Sequence, residues 1–212
     1  MLSQTKWFMF CLVVCGSLGA CQPDPNAPPI YRDANEYQAA LEKVQKLTKG
    51  PFEAMHEGDP VTEKEMEGLK EADHLIDGLI AFNANAYAPY ILRGLTKRAL
   101  GQYESAKTAY EQGLALAPKA PTENDIGALA RIHDELGTLY FEQKKFEEAE
   151  PHADEAARLL PQDPSILTNT ASVKVQLKKM PEAKALLDRA LQRDPTYRRA
   201  MNLVKFIGDS SK

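Results

Sequence analysis

The chain has 212 residues, of which 43% are hydrophobic and 26% are charged. This composition is typical of a folded globular protein and excludes an intrinsically disordered one. Its 26 basic and 30 acidic residues give a formal net charge of −4, so the composition offers no support for nucleic-acid binding. All three cysteines, Cys11, Cys15 and Cys21, lie at the N-terminus, which excludes a disulfide framework, a thiolate zinc site and a thiol nucleophile elsewhere in the chain.

The first 20 residues have the three-part layout of a secretory signal peptide. Lys6 precedes an apolar run at 7–15, and small residues follow this run up to Ala20. The run is much shorter than the roughly 20 residues that span a bilayer. We therefore expect residues 1–20 to be removed rather than to remain as a transmembrane helix.

The sequence Leu-Gly-Ala-Cys at 18–21 resembles the lipobox of bacterial lipoproteins, in which the cysteine becomes the lipidated first residue of the mature chain. The resemblance implies that Cys21 carries acyl chains such as palmitate, and several such chains hold a protein firmly at a membrane. The alternative is an ordinary signal peptide that happens to contain a cysteine. Gln22 rather than aspartate follows Cys21, which in an envelope with two membranes predicts the outer membrane, facing the periplasm.

A proline-rich segment follows the cysteine. Residues 22–32 contain four prolines, and such segments are extended and semi-rigid, at roughly 3 Å per residue. We expect residues 21–32 to form the lipidated cysteine and a tether that holds the folded domain about 30 Å from the membrane. A plain disordered tail is the alternative.

From residue 33 to residue 212 the pattern predicts an all-α fold. Apolar residues recur at helical spacing, and Gly and Pro separate the helical segments. Asp33 with Glu36, and Thr62 with Glu65, match the capping box that begins a helix.

A period of 34 residues organises this helical region. The pairs of positions separated by it are Ala72 and Ala106, Ala149 and Ala183, Ala156 and Ala190, and Pro161 and Pro195. Ala106 and Ala149 are instead 43 residues apart, which is one period plus a nine-residue insertion. One helix pair cannot bury its apolar face alone, so several such units must stack.

The repeated positions resemble the tetratricopeptide repeat (TPR), in which a helix with Leu-Gly and an aromatic precedes a helix with Ala, an aromatic, Ala and a closing Pro. Unit 130–163 matches this pattern at Leu136, Gly137, Tyr140, Phe146, Ala149, Ala156 and Pro161. Unit 87–120 matches it at Tyr90, Gly94, Gly101, Tyr103, Ala106, Tyr110 and Pro118. Unit 164–197 is a weaker match, at Ala171, Ala183, Leu187, Ala190, Asp194 and Pro195.

The resemblance implies a helix-turn-helix solenoid with three clear units, a degenerate N-terminal unit and a capping helix at about 197–207. The degenerate unit, about 53–86, keeps its second helix (Leu69 to Phe82), and we expect its first helix to be displaced upstream, to about 34–48.

Two departures from the pattern affect the helices. Pro151 lies inside the second helix of its unit and should bend that helix or delay its start. The insertion at 120–128 forms either a loop or an extension of the next helix, and Thr122 and Asp125, as helix-start residues, favour the extension. We also expect Gly94 and Gly137 to let neighbouring helices approach closely.

Little in the sequence indicates catalysis. His56, His74, His133 and His152 stand singly, and no Gly-rich phosphate loop follows a strand. We therefore predict a protein that is not an enzyme, with no cofactor, no metal and no nucleic-acid partner. The basic residues near the C-terminus form either a surface for an anionic partner or a solubilising cap; they are Lys178, Lys179, Arg189, Arg193, Arg198 and Arg199.

In TPR proteins the first helices of successive units line a concave groove, and the resemblance implies a peptide-binding groove here. The corresponding positions are Ala88, Ile91, Leu95 and Arg98, then Arg131, Asp134, Thr138 and Phe141, then Ser165, Thr168 and Ser172. Such a surface suits an extended peptide or an amphipathic helix. Asp134 stands where a TPR domain that grips a C-terminal carboxylate would carry lysine. The alternative is a groove filled by the N-terminal helices.

We therefore expect a membrane-anchored TPR lipoprotein that acts as a scaffold or adaptor for other proteins of the cell envelope, in envelope assembly, secretion or pilus biogenesis. A regulatory adaptor or inhibitor of a peptidoglycan or protease enzyme is the alternative, and an enzyme is a more remote one. Both the anchor and the groove are consistent with the first two classes.

Overall fold

Nine α-helices and no strands make up residues 27–57, 60–118 and 121–209, which are the residues described by the computed structural model. In chain order they are α1 (Ala34–Glu57), α2 (Glu63–Phe82), α3 (Ala88–Ala99), α4 (Tyr103–Ala115), α5 (Glu123–Glu142), α6 (Phe146–Leu159), α7 (Pro164–Gln176), α8 (Met180–Arg193) and α9 (Arg198–Asp209). The signal peptide, Cys21 and the first part of the predicted tether lie outside the described residues.

The helices pack as consecutive hairpins: α1 with α2, α3 with α4, α5 with α6, and α7 with α8. Each first helix also contacts the first helix of the next hairpin, so α1, α3, α5 and α7 form one row that α9 closes. This stacking confirms the all-α solenoid of helix-turn-helix units with a C-terminal capping helix. It also places one side of every odd-numbered helix on a common face.

The turns inside three hairpins share one backbone conformation. Gly101, Lys144 and Lys178 occupy corresponding positions and have φ values of 72°, 60° and 59°. Glycine adopts this left-handed conformation without steric penalty, whereas a residue with a Cβ atom does so at a cost. Only the first of the three turns therefore has the residue that its geometry favours.

Local signals set where several helices begin. Thr62 with Glu65 and Thr122 with Asp125 form complete capping boxes at the starts of α2 and α5. The second box confirms that the insertion lengthens a helix, because α5 begins at Glu123 and has 20 residues. Asp33 accepts from the backbone N–H groups of Asn35 and Glu36, each at 2.9 Å.

Two prolines lie inside helices without ending them. Pro51 is within α1, which runs to Glu57 rather than ending near residue 48. The predicted upstream displacement of this first helix is confirmed, but its predicted end is wrong. Pro151 is within α6, which begins at Phe146, so the proline does not delay the start of that helix. A proline removes one helix hydrogen bond, and packing against neighbouring helices outweighs that loss here.

The folded region begins upstream of residue 33, which corrects the predicted boundary of the tether. The Tyr31 hydroxyl donates to the backbone carbonyl of Leu75 in α2 at 3.1 Å. Pro29 packs so closely on α2 that a Cβ atom at Gly78 would lie 2.5 Å from the Pro29 carbonyl oxygen. Residues 29–31 are therefore docked on the helical domain and do not belong to a free spacer.

Glycines allow the helices to approach closely, as predicted. A Cβ atom at Gly94 in α3 would overlap the ring of Tyr110 in α4, and that ring is fully buried. A Cβ atom at Gly137 in α5 would lie 3.3 Å from the backbone nitrogen of Ala153 in α6. These contacts fix the spacing inside the second and third hairpins.

Candidate binding groove

The odd-numbered helices enclose a groove of about 800 Å³ on their common face. Phe52 and Met55 of α1 form one wall, and Ile91 and Leu95 of α3 lie in the same apolar end. The other end is lined by Ser165 together with polar and charged groups of α5 and the α6–α7 turn. This volume lies within the range of about 300–1,000 Å³ that is usual for ligand pockets.

Most of the predicted groove residues lie in this region. Those that line the groove itself are Ile91, Leu95, Arg98, Arg131, Asp134 and Ser165. Those that line an adjacent pocket of about 70 Å³, which shares Asp134, are Thr138, Phe141 and Ser172.

Ala88 and Thr168 lie elsewhere. Ala88 is exposed at the first position of α3 and lines neither cavity. Thr168 is buried, and its hydroxyl donates to the backbone carbonyl of Pro164 at 2.7 Å. The next residue, Asn169, lines the smaller pocket in its place, so the position predicted on α7 was displaced by one residue.

The wall supplied by α1 was not predicted in detail. The sequence suggests the N-terminal helices only as a filling of the groove, whereas in the structure α1 borders the groove and leaves it open. Phe52 and Met55 lie beyond Pro51, where the helix was expected to have ended already. Recognising that these apolar residues continue the helix would have required knowledge of the tertiary packing.

A buried ion-pair network lies beneath the groove. Arg98 places Nη1 2.8 Å from Oε1 of Glu142 and Nε 3.2 Å from Oε2 of Glu135. The Tyr110 hydroxyl donates to the same Glu135 oxygen at 3.3 Å. Burial opposes the charge on Arg98, but the nearby carboxylates outweigh this effect and raise its pKa. Arg98 is therefore occupied within the fold and is not free to pair with a ligand.

A second polar chain connects α5, α7 and α9. The side-chain amide of Asn169 donates to both carboxylate oxygens of Asp134, at 3.0 and 3.1 Å. Arg199 in turn donates to the amide oxygen of Asn169 at 2.8 Å. Burial raises the pKa of Asp134 to about 7, against the opposing effect of the Asn169 hydrogen bond. Both protonation states of this carboxyl are thus populated near neutral pH.

Two of the four histidines, although distant in sequence, meet in the fold. His133 of α5 and His152 of α6 place their Nδ1 atoms 3.1 Å apart. Burial lowers the pKa of both imidazoles, and the neighbouring His133 lowers that of His152 further. Within the described parts of the chain, no group of three or more His, Cys, Asp or Glu side chains could hold a metal ion. The same residues contain no helix long and apolar enough to cross a bilayer.

Stacked helix hairpins with a groove on the face of their first helices define an α-solenoid repeat protein. Family models described as tetratricopeptide repeat match residues 87–119 and 140–204. The two matched segments are therefore tetratricopeptide repeats. Chains built from such repeats are typically scaffolds that mediate protein–protein interactions rather than enzymes.

Two plant proteins are similar to part of this chain. The chain is 31% identical over 98 residues to U-box domain-containing protein 70 of rice (Oryza sativa subsp. japonica) and 32% identical over 102 residues to the Hsp70-Hsp90 organizing protein of wheat (Triticum aestivum). These matches cover 46% and 48% of this chain, but only 11% and 16% of the two relatives. The likeness is therefore confined to a repeat segment of much longer proteins.

Solved structures share the fold at low sequence identity. MamA from Desulfovibrio magneticus RS-1 superposes with a TM-score of 0.59 at 15% identity, over 80% of this chain and 86% of that one. The Cut9 and Hcn1 complex of the APC/C superposes with a TM-score of 0.62 at 17% identity, over 81% of this chain and 32% of the matched chain. At these identities the likeness concerns the fold alone.

Proposed function

We propose that this chain is a lipid-anchored TPR lipoprotein of the bacterial cell envelope, and that it recruits other proteins by binding a peptide segment in its groove. The observation that carries the proposal is the open groove of about 800 Å³ on the common face of the odd-numbered helices. In repeat solenoids, such concave faces serve as extended binding surfaces. The Leu-Gly-Ala-Cys motif at 18–21 supports the anchor.

The lining of the groove favours a segment with apolar and polar parts. Phe52, Ile91 and Leu95 offer apolar surface at one end, which suits the buried side chains of an extended peptide or a helix. Asp134 and Asp163 contribute carboxyl groups at the other end. Arg131 lines the groove as well, so the charged part of the lining carries both signs of charge.

A bulky side chain at Gly127 offers a direct test of the groove. Gly127 lies in α5 and lines the groove, and a Cβ atom there would have no neighbour within 4 Å. Gly127→Trp should therefore fill the binding space without disturbing the core. In affinity capture from crosslinked envelopes of the source bacterium, we expect this variant to lose the proteins that the native chain captures.

Two matched variants serve as controls. Gly127→Ala keeps the groove open, and Gly208→Trp adds the same bulk on α9, where a Cβ atom also meets nothing within 4 Å. Both should capture the same proteins as the native chain, and circular dichroism should show that all three variants are folded. If Gly127→Trp captures the native set in full, the groove is not the binding surface.

The anchor is tested separately at Cys21. We expect Cys21→Ala to abolish incorporation of labelled palmitate, because this thiol is the predicted attachment point of the acyl chains. The variant should also be released from the membrane fraction. Cys11→Ala and Cys15→Ala, which alter the predicted signal peptide instead, should leave the labelling unchanged. Labelling that persists in Cys21→Ala would contradict the predicted site.

A further inference from the structure

We propose that His133 and His152 form a binding site for one divalent transition-metal ion of the zinc, nickel or copper type. The two residues lie on neighbouring helices, α5 and α6, of one hairpin. The site is separate from the groove, since neither histidine lines it. The proposal therefore does not depend on the function proposed above.

The distance between the two rings matches the requirements of such an ion. The Nδ1 atoms lie 3.1 Å apart. Two imidazole nitrogens at 2.0–2.1 Å from one metal ion, in the usual cis arrangements, are about 2.9–3.4 Å from each other. The spacing of the two helices therefore places both nitrogens within reach of one ion, which would replace the hydrogen bond between the rings.

The surrounding structure holds the two rings in this position. Gly137, one helical turn after His133, packs against Ala153, the residue that follows His152, and this contact sets the helix spacing beside the site. Tyr140 stacks on the His152 ring with a centroid distance of 5.7 Å and an interplanar angle of 21°. A preorganised pair loses little conformational entropy when it binds an ion.

Charged side chains of both signs lie around the pair. Glu155 and Arg158 act on His133 with opposite signs, and Glu111 and Lys107 do the same for His152. An approaching cation thus meets carboxylates as well as cationic side chains beside the pair. Both rings are only half-buried, so the ion can reach them from solvent.

The chemistry of the donors selects the class of ion. Imidazole nitrogen suits zinc, nickel and copper, whereas magnesium and calcium prefer oxygen ligands. Because the described residues supply no third His, Cys, Asp or Glu to the group, water or a donor from another molecule completes the coordination. Such a site has open positions, like those that catalytic metal sites keep for an exchangeable ligand.

Titration calorimetry of the untagged full chain with zinc chloride and with nickel chloride tests the proposal. His133→Ala and His152→Ala should each bind one equivalent fewer than the native chain, whereas His74→Ala should match it. Any binding by the N-terminal cysteines is common to all four samples and cancels in the comparison. Equal stoichiometry in all four would show that the pair is only a hydrogen bond between two histidines.

A measurement on the native chain avoids dependence on the folding of the variants. The electron paramagnetic resonance spectrum of one bound equivalent of Cu²⁺ should show coupling to two imidazole nitrogens. Addition of zinc chloride should also raise the Tm of the native chain, because the ion binds the folded state preferentially. A copper spectrum without nitrogen coupling, or an unchanged Tm, would overturn the site.

Discussion

Replacing Arg98 by methionine is expected to lower the free energy of unfolding by about 3–5 kcal/mol, the usual cost of removing one partner from a buried ion pair. The Arg98 side chain is only 8% exposed, and its main partner Glu135 is 12% exposed. Without the guanidinium group, Glu135 would keep a buried negative charge whose one hydrogen bond within the described part of the chain comes from the Tyr110 hydroxyl. Glu142 is more exposed and can recover hydration.

Urea unfolding followed by circular dichroism measures this loss, and Arg158→Met provides a matched control. Arg158 donates two hydrogen bonds to Glu155, at 2.7 and 2.6 Å, but its side chain is 67% exposed. Exposed pairs contribute at most about 1 kcal/mol, since solvent screens them. Equal, small losses in the two variants would show that burial does not make the Arg98 network important.

Arg98 stabilises the fold as well as lining the groove. The TPR resemblance places it in the binding groove, and it does line that cavity. Its charge, however, is shared between Glu135 and Glu142, which lie on the next unit. Arg98 therefore joins the second unit to the third, and a loss of binding in Arg98→Met would reflect loss of structure as much as loss of a ligand contact.

The fold could be predicted from the sequence because its signals are local or periodic. The capping boxes at Thr62 and Thr122 act within four residues, and the 34-residue period recurs along the chain. Each of these signals can be recognised in the sequence without knowing how the helices are rotated about their axes. Helix number, order and approximate limits follow from such signals alone.

The residues that meet at the candidate sites depend on how each helix is rotated about its axis. The sequence does not specify this rotation, so these contacts were not predicted. His133 and His152 are 19 positions apart and Asp134 and Asn169 are 35 apart, so no short motif records either pair. A shift of one position on α7 exchanges the buried Thr168 for Asn169 in the smaller pocket. One residue turns a helix by about 100°, which is enough to move a side chain from the core to a cavity.

Gly94→Ala is expected to destabilise the fold by about 1–3 kcal/mol, although alanine is ordinarily the better helix former. The added Cβ atom would overlap three ring atoms of Tyr110, which is fully buried and cannot turn into solvent. Either the ring or helix α3 must therefore move. Chemical unfolding of Gly94→Ala beside the native chain measures the effect.

Gly127→Ala and Gly137→Ala complete the comparison. At Gly127 the new methyl group meets nothing within 4 Å, so this helical position should gain about 0.5–1 kcal/mol from the change. Gly137 is intermediate, because its nearest neighbour would lie at 3.3 Å. The stability changes of the three Gly→Ala variants should thus follow the space available at each glycine. A gain of stability at Gly94 would contradict the close packing of α3 on Tyr110.

Tyr110 connects the two sites of substitution, so the effects of Arg98→Met and Gly94→Ala should be coupled. Its ring fills the space beside Gly94, and its hydroxyl donates to the Glu135 carboxylate that pairs with Arg98. Displacing the ring in Gly94→Ala should therefore already weaken the Arg98 network. Residues in one network are not additive, so the double variant Gly94→Ala with Arg98→Met should lose less stability than the sum of the two single losses. Strict additivity would mean that the ring and the ion pair stabilise the junction between the second and third units independently.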